Sequence, residues 1–266
     1  MKTLNYFFFI CLFLAACSKD NPEPVPEQES DIDYLELISG LIEAQNMPRP
    51  ADSYNYPIYP GRKNWALLPN QELREEVIQV PVDIAKSMST QALIQALWEY
   101  PFAGFMFGLD DYDRYQSAFN SRISSRNAYV ELTRRTDAGS ELLYRLERVN
   151  PLASSFPQYV LNLLTSQTVF VTKLNDGEKR KVIEIAIENE SLRQAVFGTS
   201  YMDKVITALL TGRIMFAAGY APFVEAVNGS ELEPFLYYKN YCYFYERFGY
   251  KISQDIINFA LQYLNE

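Results

Sequence analysis

The sequence contains no histidine, and this absence excludes a large part of enzyme chemistry. Ser-His-Asp and Cys-His catalysis, acid–base catalysis by imidazole, and zinc or iron sites with histidine ligands all require that side chain. The chain also lacks the G-x-G-x-x-G, P-loop, C-x-x-C, G-x-S-x-G and H-E-x-x-H motifs. We therefore expect neither a cofactor nor a metal site, and the sequence identifies no catalytic residue. Any catalysis would depend on Asp, Glu, Tyr, Lys or Arg.

Cysteine is nearly as scarce, and the position of one cysteine is informative. After Lys2 comes an uncharged apolar run over residues 6–13, and the next four residues are LAAC, ending at Cys17. A basic start, a short apolar middle and small residues before a cut form the layout of a secretory signal. The run is too short to span a bilayer, which takes about 20 apolar residues. Because Cys17 directly follows Leu-Ala-Ala, the segment resembles a bacterial lipoprotein signal.

This resemblance implies that residues 1–16 are removed and that Cys17 becomes the lipidated first residue of the mature chain. The alternative is an ordinary signal peptide with a chance cysteine. Cys11 would be lost with the signal, so Cys242 would be the remaining free thiol and no internal disulfide could form. We expect Cys242, which lies among aromatic residues, to be a small buried side chain.

The chain has fewer basic than acidic residues, which limits the partners that it can bind by charge. The chain has 24 Lys and Arg against 33 Asp and Glu, a net charge of −9. An acidic chain repels phosphate backbones, so nucleic acid is excluded as an expected partner. No polybasic cluster offers itself to anionic lipid. We therefore expect the membrane contact to be made through the lipid at Cys17.

Residues 17–30 combine the lipidated cysteine with an acidic tether rich in proline, SKDNPEPVPEQES. Such a segment cannot bury a core and favours extended conformations. The start of the tether, residues 18–20, resembles the acidic signals that direct Bacteroidota lipoproteins to the outer face of the outer membrane. The expected location is therefore the bacterial cell envelope, at the outer membrane, with surface exposure as the option that this signal favours.

From residue 31 onward, apolar residues recur mainly at helical spacing, which predicts a single all-α domain over residues 31–266. Residues expected to cap or open helices are Asn70, Asp83, Ser89, Asp137 and Ser253. Residues 168–172, TVFVT, have the composition of a strand. Because no partner strand is evident, we predict a helix there.

An internal duplication is suggested by residues 93–142, which align without gaps to residues 183–232. Ten of the 50 pairs are identical, including the final Gly-Ser-Glu-Leu of each segment, 139–142 and 229–232. This pattern predicts two similar multi-helix units, arranged as an α-solenoid or superhelix-like array. Each matched glycine would then end one helix, and the following residues would cap the next.

An aromatic, proline-rich segment over residues 54–65, YNYPIYPGRKNW, is the best candidate ligand-binding site. Large, rigid, partly polar rings beside cationic side chains suit a sugar ring or a protein partner. The alternative is a connection that lies flat on the helices, with its aromatic rings anchoring it to the core. The candidate binding residues are Tyr54, Tyr56, Tyr59, Arg62 and Trp65.

Two other segments have a functional and a structural interpretation. Asp110, Asp111 and Asp113 could hold calcium or supply an acid–base pair, but their spacing does not fit an EF-hand, and helix capping is favoured. Residues 237–250 carry six tyrosines and are aromatic around the whole helix. A helix of that kind is usually buried between neighbours.

Several short motifs follow one another from the aromatic segment onward. They read YP at 56–57, PG at 60–61, Trp65, IQVP at 78–81, MSTQAL at 88–93, YP at 100–101 and RRTDAG at 134–139. Together these motifs resemble a set of uncharacterised helical lipoproteins of gut Bacteroidota. The resemblance covers about residues 54–145. It implies an all-helical surface lipoprotein, and it brings no catalytic residues with it.

Two functions follow as hypotheses. The first is a non-enzymatic binding module, displayed on a lipid tether, whose ligand is a glycan or a protein. The second is a hydrolase acting on a glycan or a peptide, with two carboxyl groups about 5–10 Å apart in a deep pocket and at least one raised pKa. The missing histidine and the aromatic segment favour the first.

Overall fold

The structure is a computed structural model that describes residues 40, 45, 47–60, 62–101, 119, 122–153, 155–198, 200–230 and 250–266. Within these ranges every regular element is a helix and no strand is present. The predicted all-α class is therefore confirmed for the described part of the chain. The helices are α1 Lys63–Ala66, α2 Gln71–Val77, α3 Val82–Ser87, α4 Thr90–Trp98, α5 Asn127–Arg134, α6 Ala138–Leu146, α7 Ser155–Thr165, α8 Thr168–Val171, α9 Asp176–Phe197, α10 Tyr201–Ala217, α11 Ala221–Val227 and α12 Tyr250–Asn265.

Several helices begin at side chains that accept a hydrogen bond from the first turn. Asn70 accepts from the Leu73 amide and Ser89 from the Ala92 amide, as predicted for both caps. At α9 the cap is Asn175, which forms a reciprocal capping box with Glu178. These bonds satisfy amide groups that have no partner inside the helix.

Two predicted caps are wrong. Helix α3 begins after Pro81, and Asp83 lies inside its first turn. Its negative charge there interacts favourably with the positive end of the helix dipole. Helix α12 begins at Tyr250, three residues before Ser253, and the Ser253 side chain is fully buried within that helix. Both polar residues lie so close to the start of their helices that they resemble caps in the sequence.

Two helices organise the core, α4 in the first half of the chain and α10 in the second. Helix α4 packs against α5, α6 and α7, and α10 packs against α7, α8, α9, α11 and α12. Helix α7 contacts both, so the two groups share one continuous apolar core. The largest fully buried side chains of that core include Trp98, Tyr100, Phe119, Phe170 and Phe223.

The segment that resembled a strand is helical, as predicted. Helix α8 spans only Thr168–Val171, and it buries Phe170 and Val171. The Tyr129 ring packs edge-to-face against Phe170, with ring centroids 5.6 Å apart. A single turn that inserts two apolar side chains between its neighbours needs no partner strand.

Helix α10 is rich in apolar residues and is surrounded by other helices. In the part of the chain that the structure describes, no single helix is long and apolar enough to cross a membrane. Helices α10 and α11 meet that composition and length only as a pair, and the pair is bent by 109°. Most side chains of α10 are buried inside the protein.

The matched glycines of the suggested duplication occupy different backbone settings. Gly139 lies inside the first turn of α6, whereas Gly229 follows α11 with a φ of +68°. Gly139 therefore does not end a helix, contrary to the expectation, whereas Gly229 does follow the end of a helix. The duplication itself stays a prediction, since residues 102–118 of the first segment and 231–232 of the second lie outside the described residues.

Several predictions concern residues outside the described ranges. They are the signal over 1–16, Cys17 and the tether over 17–30, the Asp110, Asp111 and Asp113 cluster, Cys242, and the aromatic helix over 237–249.

Gly139→Ala tests the close approach of α6 to α8 and to the residues that follow α8. A Cβ there would lie 3.1 Å from Leu174 Cδ2 and 3.2 Å from the Phe170 carbonyl oxygen. Because the carbonyl belongs to the backbone, we expect a loss of about 1–3 kcal/mol in the free energy of unfolding, measured by urea denaturation.

Gly177→Ala is the matched control, since it also places a methyl group in the first turn of a helix. A Cβ at Gly177 would meet only the exposed Asn175 side chain, at 3.3 Å. We expect this variant to change the free energy of unfolding little, because alanine favours the helix over glycine. Equal losses in the two variants would contradict the proposed contact.

Candidate functional site

The aromatic segment lies on the C-terminal end of α4, and two tyrosine hydroxyls hold it there. The Tyr56 hydroxyl donates to the Ala96 carbonyl at 3.0 Å, and the Tyr59 hydroxyl donates to the Glu99 carbonyl at 2.6 Å. The last carbonyl groups of a helix have no partner within that helix. The two hydroxyls therefore fill acceptors that α4 leaves open.

The rings of the segment pack edge-to-face against one another, around Tyr56. The ring centroid of Tyr56 lies 5.1 Å from that of Tyr54, 6.0 Å from that of Tyr59 and 6.5 Å from that of Tyr100. Such pairs stabilise beyond the area they bury. Burial raises the pKa of Tyr56 and Tyr59 well above their usual value, so both hydroxyls stay protonated donors at neutral pH.

An ion pair clamps the beginning of the segment to the same helix end. Arg49 Nε lies 2.9 Å from Glu99 Oε1, and Arg49 Nη2 lies 3.0 Å from Glu99 Oε2 and donates to the Tyr54 carbonyl at 2.9 Å. The hydrogen bond to Glu99 raises the pKa of Arg49, with burial acting in the opposite direction. This bidentate arrangement fixes geometry as well as charge.

Glu99 also connects the segment to the interior. Gln95 Nε2 donates to Glu99 Oε1 at 2.7 Å, and Arg145 of α6 donates to the Gln95 side chain and to the Gln91 carbonyl. Burial lowers the pKa of Arg145 to about 10, and its guanidinium lies 5.3 Å from the Trp98 ring centroid. The segment is thus anchored through a continuous polar network.

Sequence reasoning missed both Arg49 and Glu99. They are 50 residues apart, and no local pattern indicates that two such distant charges will meet. The one available signal was the position of Glu99 at the end of a strongly apolar helix, where an isolated charge needs a partner.

The structure divides the five predicted binding residues into two groups. Tyr56 and Tyr59 direct their hydroxyls at α4, which agrees with the anchoring alternative for these two. Tyr54 and Trp65 are half-buried, and Arg62 is exposed. The Arg74 guanidinium lies 5.7 Å from the Trp65 ring centroid.

Beside Trp65, the short helix α1 presents an outward surface. Lys63 is exposed, and Leu67, directly after α1, is 81 % exposed. Leu67 was not singled out in the sequence, where one leucine after a tryptophan gives no signal of exposure. We call Tyr54, Arg62, Trp65 and Leu67 the aromatic face.

Charged side chains in the interior form pairs across helices. Arg193 Nε of α9 lies 2.9 Å from Asp203 Oδ1 of α10, and the Tyr159 hydroxyl donates to the same oxygen at 2.6 Å. Lys204 lies 3.5 Å from Glu190 and donates to Gln254 of α12 at 2.8 Å. Each buried carboxylate has a cation beside it, which offsets the cost of burying both charges.

Other carboxylates also serve structural partners. Glu75 receives hydrogen bonds from Arg122 and Arg126, and these outweigh burial, so its pKa is lowered. A groove of about 150 Å³ between α3 and α5 contains Glu131, which is ion-paired with Arg134 at 3.3 Å. Among the described residues, no group of three or more His, Cys, Asp or Glu could hold a metal ion.

The buried tyrosines predict a loss of stability in alkali. Burial raises the pKa of Tyr129 to about 12, while in the unfolded chain a tyrosine titrates near 10. The unfolded state therefore loses its proton first, so this contribution to stability is complete below pH 10 and is lost as the pH rises to about 12.

This pH dependence is measured by following tyrosinate absorbance and helical circular dichroism together. We expect buried tyrosines to ionise only as the helices unfold. Tyr129→Phe keeps the ring contacts to Phe119 and Phe170 and removes the ionisable group, so its unfolding midpoint is expected at higher pH. Full tyrosinate absorbance near pH 10 with intact helical signal would contradict the burial.

Comparison with known proteins adds no family to these observations. No protein-family model matches the chain, and neither a curated protein nor a solved structure matches it. The functional argument therefore depends on the chemistry of the chain's own surfaces.

Proposed function

We propose that this protein is a membrane-tethered lipoprotein that acts as a non-enzymatic binding module, with a glycan or a protein as its ligand. The ligand contacts the aromatic face. The observation that carries the proposal is the anchoring of the segment beneath that face, by Tyr56 and Tyr59 hydroxyls and by the Arg49–Glu99 pair.

Anchoring of this kind favours binding because it reduces what the ligand must order. A free loop loses conformational entropy when it binds, whereas a fixed loop has already lost it on folding. The half-buried rings of Tyr54 and Trp65 offer flat apolar area for a sugar ring or an apolar side chain. The exposed Arg62 and Lys63 supply hydrogen-bond donors beside them.

The alternative is a carboxylate-dependent hydrolase, and the described residues offer no observation in its favour. The interior carboxylates Asp203 and Glu190 are paired with cations in the core. The groove between α3 and α5 contains a single carboxylate, from Glu131, already held by Arg134. An acid–base pair needs two carboxyl groups facing one open site.

The proposal also covers the cellular location of the protein and the repeat arrangement of its helices. The lipid is attached at Cys17, the tether over 17–30 follows, and the protein lies at the outer membrane of a bacterial cell. The likeness to uncharacterised Bacteroidota lipoproteins supports this location. The helical domain over 31–266 is built from two degenerate repeats in a superhelix-like array, which the identities between 93–142 and 183–232 support.

The binding proposal is tested with glycan and protein arrays probed by the full mature chain. Trp65→Ala and Tyr54→Ala are each expected to weaken binding to the captured ligand about tenfold, because they remove its largest contact surfaces. Tyr144→Ala is the matched control, since Tyr144 is a 38 % exposed tyrosine on α6 with Arg148 against its ring. A ligand that the purified protein chemically alters, or an equal effect of Tyr144→Ala, would contradict the proposal.

The anchor is tested separately, by the mass of the N-terminal peptide from membrane-purified protein. We expect a diacylglyceryl-modified Cys17 as the first residue, and we expect Cys17→Ser to abolish both the modification and membrane retention. Cys242→Ser is the control and is expected to change neither. An unmodified N-terminus in the original protein, with cleavage that Cys17→Ser leaves unchanged, would support an ordinary signal peptide instead.

A further inference from the structure

Among the described residues, no carboxylate lies within ion-pair distance of Arg74 on α2. The Arg74 guanidinium lies over the Trp65 ring, 5.7 Å from its centroid. The Nε atom of Arg74 is buried, and it has no hydrogen-bond partner in the described part of the chain. The donors that a ligand can reach are therefore the two terminal Nη atoms. They belong to a half-buried cation whose hydrogen-bonding capacity is not filled.

The carboxylates of α2 lie on the far side of the helix from Arg74 or are bound by other side chains. At 100° per residue, Glu72 and Glu76 each lie about 160° round the helix from Arg74. Glu75 receives hydrogen bonds from two other arginines. The side of α2 that meets Trp65 therefore carries positive charge, although the protein as a whole has a net charge of −9.

Exposed apolar side chains accompany this charge. Leu67, directly after α1, is 81 % exposed, and Leu73, next to Arg74 in α2, is 36 % exposed. We call Trp65, Leu67, Leu73 and Arg74 the arginine corner. Tryptophan and arginine are the residue types that most often carry the binding energy of protein interfaces, and the two leucines add open aliphatic area.

We propose that the ligand of the aromatic face is a protein, and that an acidic segment of this protein binds the arginine corner. A carboxylate of the segment accepts two hydrogen bonds from the terminal nitrogens of Arg74, and a neighbouring apolar side chain packs on Trp65 and Leu67. The exposed Arg62 and Lys63 add positive charge that attracts an acidic partner. This inference rests on the proposed binding function and names the partner for that surface.

A glycan fits this corner less well than a peptide does. A sugar ring stacks on an open aromatic face, but the Trp65 ring has Arg74 over it and packs partly against the core. The exposed aliphatic side chain of Leu67 gains from contact with another apolar side chain and gains little from sugar hydroxyls. Both observations favour a peptide that has a carboxylate beside an apolar residue.

The experiment probes a synthetic peptide library with the full mature chain carrying Cys17→Ser, so that no lipid is attached. Each library sequence is present with Glu, with Gln and with Lys at the same positions, and polygalacturonate is included as an acidic glycan. We expect the captured peptides to bind about tenfold more tightly in the Glu form than in the Gln form. Arg74→Gln is expected to weaken binding of the Glu form about tenfold and so to remove this preference, because it removes the charge-assisted hydrogen bonds.

Arg148→Gln is the matched control, because Arg148 also lies over an aromatic ring but already has a carboxylate beside it. The Arg148 guanidinium is 3.5 Å from the Tyr144 ring centroid, and its Nη1 is 3.4 Å from Glu147 Oε2. We expect this variant to keep the preference for the Glu form. Arg74→Glu is a second test, since it should reverse the preference toward the Lys form, and misfolding cannot produce a gained preference.

Equal binding of the Glu and Gln forms, an equal loss in Arg148→Gln, or a library that yields no bound peptide would each overturn the inference. Tighter binding of polygalacturonate would also overturn it, because a glycan would then be the ligand, and the proposed function would stand. Loss of binding in Trp65→Ala without any charge preference would likewise leave the proposed function in place. The inference and the proposed function therefore fail separately.

Discussion

The end of helix α4 is the constraint on which the first half of the structure depends. A helix that is buried almost all round must still satisfy its last carbonyl groups, and water cannot reach them freely. Here the hydroxyls of Tyr56 and Tyr59 supply the donors, and Glu99 adds a charge that Arg49 neutralises. The aromatic segment follows the path it does because its polar atoms complete α4.

The second half depends on a different device, charged pairs buried between helices. Arg193 with Asp203 joins α9 to α10, and Lys204 with Glu190 joins the same two helices one step away. Buried pairs add little net stability compared with apolar side chains, but removing one partner is costly. Their effect is to fix one relative position of α9 and α10. That fixed position also determines where the exposed last turn of α9 stands.

Local signals predicted helices better than they predicted helix starts. Asn70 and Ser89 were recognisable caps because their side chains act within three residues, a distance that the sequence shows directly. Asp83 and Ser253 have the same residue types near helix ends but lie inside their helices. What separates the two cases is where each helix begins: α3 follows Pro81 and α12 starts at Tyr250, so the polar side chains stand inside the helix and not at its cap.

Composition and spacing by themselves determined the helical class, since apolar residues at helical intervals can be buried together only in a helix. They also marked the aromatic segment as unusual. Only the tertiary structure decided which of its rings are anchored through their hydroxyls and which lie half-buried without such a bond to α4, because the acceptors at Ala96 and Glu99 are about 40 residues away from the tyrosines that use them. The same holds for Leu192, Val196 and Phe197: they are ordinary in the sequence, and only the structure shows that they are exposed at the end of α9.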